Sequence, residues 1–255
     1  MEILNSDAIV ERLKQARVYT ILTGAGISAE SGIPTFRGEN GLWKNLSPHE
    51  LASIEAFYRN TAIVNEWYRH RRDIIEKCTP NAGHYALTEM SKYLPTFYLI
   101  TQNVDGLHQR AGVSDVIELH GNIMQNYCIR CGTRYNVQQF DEIYEHASQH
   151  IPRCDCGGVI RPDVVWFGEA LPAEALERAF QAAENAEVFL SIGTSAQVRP
   201  ASDLPLLAKK HGAFFIEINI NATMLSSSAD LLLQGPSGEI LPKLNRDLHR
   251  IISAN

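Results

Sequence analysis

Four cysteines in two close pairs are the residues whose chemistry is clearest from type and spacing. Two residues separate Cys128 from Cys131, and one residue separates Cys154 from Cys156. Thiolates in two close pairs are a usual tetrahedral ligand set for zinc. Since four protein ligands leave no position for water, the sequence predicts one structural Zn²⁺ rather than a catalytic one. The alternative is four ordinary free cysteines, and the short spacing of the second pair is the less usual feature.

A glycine turn is the second candidate site. The apolar, β-branched run at 18–22 is typical of a buried strand, and Gly24, Ala25, Gly26 and Ser28 follow it. Glycines at such a turn allow backbone amides to approach a phosphate. The turn alone is a weak signal, because it lacks a third glycine at the spacing of the dinucleotide-binding fingerprint.

Arg71 is the third feature, because it stands in an apolar face. On a helical wheel the apolar stripe consists of Val64, Trp67, Tyr68, Ile75 and Cys78. Arg71 falls in the middle of this stripe, whereas Arg72 falls on the opposite, polar side. An arginine is rarely buried without an anion. Arg71 is therefore predicted to meet an anion, either a bound one or an internal acid such as Glu55 or Glu66.

These side chains must be positioned by a regular scaffold. Apolar runs typical of buried strands occur at 18–22, 96–101, 116–119, 187–192, 214–218 and 230–233. Helical patterns separate most of them, at 80–93 (with Thr79 as N-cap), 173–185, 201–211 and 239–252. Strands that alternate with helices predict an α/β fold with a parallel sheet covered on both faces.

Two regions interrupt this alternation and are interpreted as insertions that form a smaller domain. Residues from about 38 to 78 are mostly helical in pattern, and residues from about 121 to 158 are polar and contain the cysteine pairs. The α/β part then comprises residues of about 1–37, 79–120 and 159–255.

Bulk composition excludes several classes of protein. The chain has 255 residues and a net charge of −6, so direct binding to nucleic acid is not expected. Five cysteines in a chain of this length do not form a disulfide framework. No secretion signal and no apolar run of about 20 residues is present, so no membrane partner is expected. The sequence predicts a soluble protein of a reducing compartment, the cytoplasm.

Several ordered motifs accompany the glycine turn. They are AESGIPTFRG at 29–38, TQNVD at 101–105, LHG at 119–121, VWFGE at 165–169 and GTS at 193–195. Carboxyl ends of parallel strands are where open α/β sheets bind ligands. Together with the cysteine pairs, these motifs resemble the sirtuins, which are NAD-dependent protein lysine deacylases. The resemblance extends from about Val18 to about Gly238. It implies a single catalytic domain whose α/β part is Rossmann-like and whose two insertions form the smaller domain.

The resemblance implies which residues would form the site. The NAD site would comprise Gly24, Ala25, Gly26, Ser28, Phe36, Arg37, Gln102, Asn103, Asp105, Gly193, Thr194, Ser195, Asn219 and Ser237. His120 would be the general base for a ribose hydroxyl, and Asn103 would position that hydroxyl or a water. Phe36 would shield the reacting ribose carbon, and Asp105 would hold the nicotinamide carboxamide. Acyl-lysine peptides would add as a strand to the backbone of Val165, Trp166, Phe167 and Gly168.

The acyl specificity implied by the resemblance depends on Tyr68 and Arg71. This Tyr-x-x-Arg spacing, with the small Ala52, resembles the sirtuin subclass that removes succinyl, malonyl and glutaryl groups. The implied reaction transfers acetyl or an acidic acyl group from lysine to ADP-ribose and releases nicotinamide. The alternative with the same cofactor is protein mono-ADP-ribosyl transfer. A zinc-ribbon binding module and a dehydrogenase have weaker support.

Overall fold

A computed structural model of the chain describes residues 6–35 and 51–253. Its strands are β1 (Val18–Thr23), β2 (Thr96–Thr101), β3 (Val116–Glu118), β4 (Gly121–Cys128), β5 (Arg134–Asn136), β6 (Ile160–Val164), β7 (Val188–Ile192), β8 (Phe214–Asn219) and β9 (Leu231–Gln234). Six of them form one parallel sheet in the order β3-β2-β1-β7-β8-β9. This confirms the predicted parallel sheet, and each predicted strand of it ends within one residue of the observed bounds.

Helices cover both faces of the sheet. In the described residues they are α1 (Asp7–Gln15), α2 (Ile54–Arg59), α3 (Thr61–Lys77), α4 (Ala82–Tyr93), α5 (Leu107–Ala111), α6 (Val137–His146), α7 (Ala173–Glu184), α8 (Leu204–Lys210) and α9 (Ser237–Ser253). One core joins the sheet to α1, α4 and α9 through residues such as Leu13, Leu87 and Leu248. A second core joins it to α7 and α8 through Ala179 and Leu204. Within the described residues, no helix is both long and apolar enough to cross a membrane.

The start of α4 differs from the sequence-based prediction. Asn81, not Thr79, is the N-cap, and its side chain accepts a hydrogen bond from the Gly83 amide at 2.9 Å. The same side chain donates to the Ile27 carbonyl at 2.7 Å and to Ser31 Oγ at 3.0 Å. Asn81 therefore caps α4 and also attaches it to the 3₁₀ helix Ala25–Ser31, a tertiary contact that local pattern does not contain.

The smaller domain contains a three-stranded antiparallel sheet in the order β5-β4-β6. Helix α3 lies against this sheet with one face and is bonded to α6 through another. The prediction that Arg72 lies on a polar, solvated face is wrong, since its side chain is only 3% exposed. Its guanidinium bonds Asp141 of α6 at 2.6 Å and lies over the Phe140 ring. Arg69 pairs with the same carboxylate at 3.1 Å.

Two buried histidines make the fold sensitive to acid. The His84 and His108 rings lie 5.0 Å apart between α4 and α5. Burial lowers the pKa of His84 to about 4, and burial together with His84 lowers the pKa of His108 to about 3. Both folded-state values lie below the ordinary 6.5, so the unfolded chain binds these protons first. Stability is therefore complete above pH 6.5 and is lost as the pH falls below it.

We expect each histidine to contribute a loss of about 1.4 kcal/mol in unfolding free energy per pH unit below 6.5. Urea unfolding at pH 7 and pH 5 measures the slope. His108→Gln should make the slope shallower, whereas the exposed His211→Gln should leave it unchanged. An identical pH slope in the wild type and His108→Gln would contradict this assignment.

Candidate active site

A cleft of about 890 Å³ runs along the carboxyl ends of the parallel strands, between the main sheet and the smaller domain. It collects predicted residues from segments that are far apart in the sequence. The predicted residues that line it are Gly24, Ala25, Gly26, Ala52, Tyr68, Arg71, Gln102, Asn103, His120, Val165, Trp166, Phe167, Gly168, Gly193, Thr194, Ser195, Asn219 and Ser237. Phe36 and Arg37 lie outside the described residues.

The glycine turn after β1 packs tightly against the turn after β7. A Cβ on Gly26 would lie 2.7 Å from the Gly193 Cα, so a larger residue does not fit there. The Gly24 amide donates to the Ile192 carbonyl at 2.9 Å, and the Gly26 amide donates to the Gly193 carbonyl at 2.8 Å. These two amides are thus used within the chain, which differs from the expectation that they face a phosphate. The glycines shape the cleft wall by letting two backbone segments meet.

Behind this wall, Ser28 and Asp105 fix Asn103. Ser28 Oγ donates to Asp105 Oδ2 at 2.7 Å, and Asn103 Nδ2 donates to Ser28 Oγ at 3.2 Å and to the Gly24 carbonyl at 3.1 Å. Burial raises the pKa of Asp105, and hydrogen bonds from Leu107 and Ser28 oppose this rise. Ser28 is only 1% exposed, and its hydroxyl is bonded within the chain behind the cleft wall. Asp105 instead borders a small cavity that shares Asn103 with the cleft wall.

His120 lies between β3 and β4 and lines the cleft. Its Nδ1 is 2.9 Å from the Gln102 carbonyl. A carbonyl only accepts, so Nδ1 carries the proton and Nε2 keeps its lone pair. Burial lowers the pKa of His120, and the bond to Gln102 opposes this effect, so the ring is neutral at pH 7. A neutral imidazole with a defined acceptor nitrogen is suited to take a proton from a bound hydroxyl.

The far end of the cleft is formed by α3 and the loop after β6. Tyr68 and Arg71 both line it, and both side chains are 8% exposed. Burial raises the pKa of Tyr68 to about 12, so its hydroxyl stays protonated. Burial lowers the pKa of Arg71, and the nearby Tyr68 and Asp105 oppose this decrease. Among the described residues, the acid that raises the pKa of Arg71 is thus Asp105, rather than Glu55 or Glu66.

The loop at 165–168 joins the main cleft to the helical insertion. The Val165 amide donates to the His120 carbonyl, and the Phe167 amide donates to the Ala52 carbonyl, both at 2.9 Å. A parallel bridge also connects Ser53 to Phe167. This loop therefore places the catalytic candidate His120 and the small residue Ala52 along one continuous surface.

Sequence reasoning missed part of the cleft lining. The loop after β8 contributes Ile220 and Met224, and the turn after Ser195 contributes Val198. Buried Glu217 holds the β8 loop, because it accepts hydrogen bonds from the Thr223 and Ser226 hydroxyls at 2.5 Å each. Asn219, at the end of β8, donates to the Thr194 carbonyl at 2.8 Å. The position of these segments in the chain could have identified them, since loops that follow parallel strands border such clefts.

The four predicted zinc ligands converge in the smaller domain. All four sulfur atoms lie within 4.8 Å of one another, with Cys128 and Cys156 3.5 Å apart and Cys131 and Cys154 3.6 Å apart. A tetrahedral Zn²⁺ with bonds of about 2.3 Å places its sulfurs about 3.8 Å apart, which this cluster fits. The Gly158 amide donates to Cys156 Sγ at 3.4 Å and would stabilise the thiolate. With four protein ligands, zinc here is structural.

Comparison with known proteins gives a consistent result. The model of the Sir2 family matches residues 24–200. An NAD-dependent protein deacylase of Aquifex aeolicus is 53% identical over 214 residues, which cover 82% of this chain and 86% of the relative. The NAD-dependent protein deacylase 2 of Pyrobaculum aerophilum is 46% identical over 243 residues, or 95% of each chain.

Solved structures agree with the sequence relatives. A Sir2 homolog–NAD complex superposes with a TM-score of 0.88 at 40% identity, covering 97% of this chain and 95% of that one. A complex of Sir2 with a p53 peptide and NAD⁺ superposes with a TM-score of 0.85 at 33% identity, covering 94% and 97%. The fold, the cysteine quartet and the family match over most of the chain lead to one conclusion: this chain belongs to the Sir2 family.

Proposed function

We propose that this NAD-dependent protein deacylase removes acyl groups that end in a carboxylate, such as succinyl and malonyl, from lysine side chains, in addition to acetyl. The observation that carries this proposal is the position of Tyr68 and Arg71. They stand one helical turn apart on α3, and both side chains line the end of the cleft beside Ala52. Curated relatives bear the name NAD-dependent protein deacylase, which supports the general reaction.

The chemistry of this end of the cleft suits an anion. Burial disfavours the charge of Arg71, and a substrate carboxylate would offset that penalty through two parallel hydrogen bonds. The protonated Tyr68 hydroxyl can donate a third. A hydrogen bond to a charged group contributes about 1.5–3 kcal/mol, which corresponds to a preference of roughly 10- to 150-fold over an acetyl group. The small Ala52 leaves room for the longer acyl chain.

At the other end of the pocket, the chain's own residues prepare proton transfer. NAD, when bound, supplies a ribose carbon that can accept the acyl oxygen as nicotinamide departs. His120 holds its Nδ1 proton on the Gln102 carbonyl and presents Nε2 to accept a proton from a ribose hydroxyl. That same carbonyl stabilises the imidazolium that results. Gln102 is itself fixed by donation to Thr194 Oγ1 at 3.0 Å.

The binding elements would align the two substrates. Asn103 is held by Ser28 and the Gly24 carbonyl, so its carboxamide has one orientation at the cleft wall. The loop at 165–168 connects His120 to Ala52, and a peptide laid along it would direct its acyl-lysine into the pocket. Alignment of reacting groups in this way accounts for a large part of many enzymatic rate enhancements.

Arg71→Met tests the acyl specificity. We expect the kcat/KM for a succinyl-lysine peptide to fall by about 10- to 100-fold, because the carboxylate loses its charged partner in a buried site. The kcat/KM for the matched acetyl-lysine peptide should change by less than about 3-fold, since no charge is buried with it. The assay incubates each peptide with NAD and follows nicotinamide and acyl-ADP-ribose by mass spectrometry.

Arg59→Met is the matched control, because Arg59 is exposed on the neighbouring helix α2 and should affect neither peptide. Equal losses of both activities in Arg71→Met would show that Arg71 maintains the fold rather than the specificity. Consumption of NAD with ADP-ribose on a protein target, and no acyl-ADP-ribose, would instead favour mono-ADP-ribosyl transfer.

A further inference from the structure

The Tyr68 hydroxyl accepts a hydrogen bond from Trp166, which belongs to the loop at 165–168. Trp166 is 2% exposed, and its indole Nε1 lies 2.9 Å from the Tyr68 oxygen. The indole N–H can only donate, so Tyr68 must accept at this contact. The proton of the Tyr68 hydroxyl is then directed away from the indole. This bond joins the loop that would carry the peptide to the helix that would select the acyl group.

We infer that Trp166 is a positioning residue for acyl specificity: its indole N–H sets the direction in which Tyr68 donates, toward the carboxylate of an acidic acyl group. This inference rests on the proposed function, because it matters only if Tyr68 meets a carboxylate. Tyr68 would then be the middle member of a chain of hydrogen bonds that runs from Trp166 through Tyr68 to the substrate. In such a chain each bond strengthens the next by polarisation.

The indole itself is held in place from behind. The guanidinium carbon of Arg161 lies 3.3 Å from the Trp166 ring centroid, a stacked cation–π contact. Arg161 is 1% exposed and forms two bonds to the Glu169 carboxylate, at 2.5 and 2.9 Å. Glu169 Oε2 also accepts from the Trp166 amide at 2.8 Å. The backbone and the ring of Trp166 are therefore both fixed by one partly buried ion pair.

The adjacent contacts show that packing and hydrogen bonding can be separated at this position. The Trp166 ring packs on Phe57 with a centroid distance of 4.9 Å and on Tyr68 at 6.0 Å. A phenylalanine at position 166 would keep an aromatic ring against Arg161 and Phe57. It would lose the N–H and part of the indole volume, so Tyr68 could rotate its hydroxyl, and the Tyr68→Phe background separates the loss of the bond from the loss of packing. A purely structural role of Trp166 predicts equal effects on all substrates, whereas a positioning role predicts a larger effect on acidic acyl groups.

Trp166→Phe, Tyr68→Phe and the double variant test this inference with succinyl- and acetyl-lysine peptides at saturating NAD. We expect Trp166→Phe to raise the KM for the succinyl peptide by about 3- to 10-fold while kcat is retained. Any effect on the acetyl peptide should be smaller, so that the ratio of the succinyl KM to the acetyl KM rises. In the Tyr68→Phe background, Trp166→Phe should have no further effect on the succinyl peptide, because the hydroxyl that it orients is gone.

The outcomes separate the two proposals. A wild-type enzyme with no preference for the succinyl peptide would overturn the proposed specificity and this inference with it. A wild-type preference that Trp166→Phe leaves intact would overturn the inference alone. Equal losses for both peptides, or an equal loss in the Tyr68→Phe background, would also overturn it. Urea unfolding of each variant establishes that the compared proteins are folded.

Discussion

Replacement of His120 by glutamine is expected to lower kcat by about 10²- to 10⁴-fold for acetyl and succinyl peptides alike. Glutamine is close in size and can keep a hydrogen bond to the Gln102 carbonyl. It has no basic nitrogen, so no group at this position can take the ribose hydroxyl proton. NAD affinity should change little, because the cleft wall is formed by the turns after β1 and β7. Initial rates at saturating peptide, with isothermal titration of NAD, measure both quantities.

His211→Gln is the control for this experiment. His211 is exposed at the end of α8, with Nδ1 3.0 Å from the Leu207 carbonyl, so its removal should leave kcat unchanged. A His120→Gln enzyme with more than about a tenth of the wild-type kcat would exclude His120 as the general base, given the usual size of such effects. The buried pair His84 and His108 would then need the same test.

Loss of zinc is expected to abolish activity by unfolding the smaller domain. The core around the quartet is small, and it includes two of the four ligands, Cys128 and Cys154, packed with Phe140, Tyr144 and Ile160. Such a core is too small to be stable without a metal. Unfolding of this part would also displace active-site residues. Strand β4 begins at Gly121, directly after His120, and β6 ends at Val164, directly before the loop at 165–168.

Elemental analysis of the purified protein should give one zinc per chain. Cys156→Ser should lose the metal and at least about 10²-fold of deacylase activity, while circular dichroism keeps most of the helical signal from the main domain. Cys78→Ser is the matched control, since Cys78 lies outside the quartet and donates to the Ile74 carbonyl. A metal-free protein with full activity would contradict a structural role for the quartet.

Local sequence patterns were sufficient for the scaffold, whereas the expected roles of the site residues came from the family resemblance. Strands buried on both faces are continuous apolar runs, so their bounds follow from composition alone. The carboxyl ends of parallel strands must meet at one edge, and therefore Gln102, His120 and Asn219 could be placed together before any coordinates were known. The cysteine spacing likewise determined a ligand set, because ligands close in sequence are already close in space.

What the tertiary structure alone decided is the partner of each side chain. Periodicity shows that a face is buried, but not what covers it, so Arg72 was placed in solvent although Asp141 of α6 binds it. The same limit applies to Ser28, which is bonded behind the cleft wall. It applies also to Trp166, whose bond to Tyr68 joins positions 98 residues apart. Sequence distance carries no information about such contacts, because they form only when separate elements pack together.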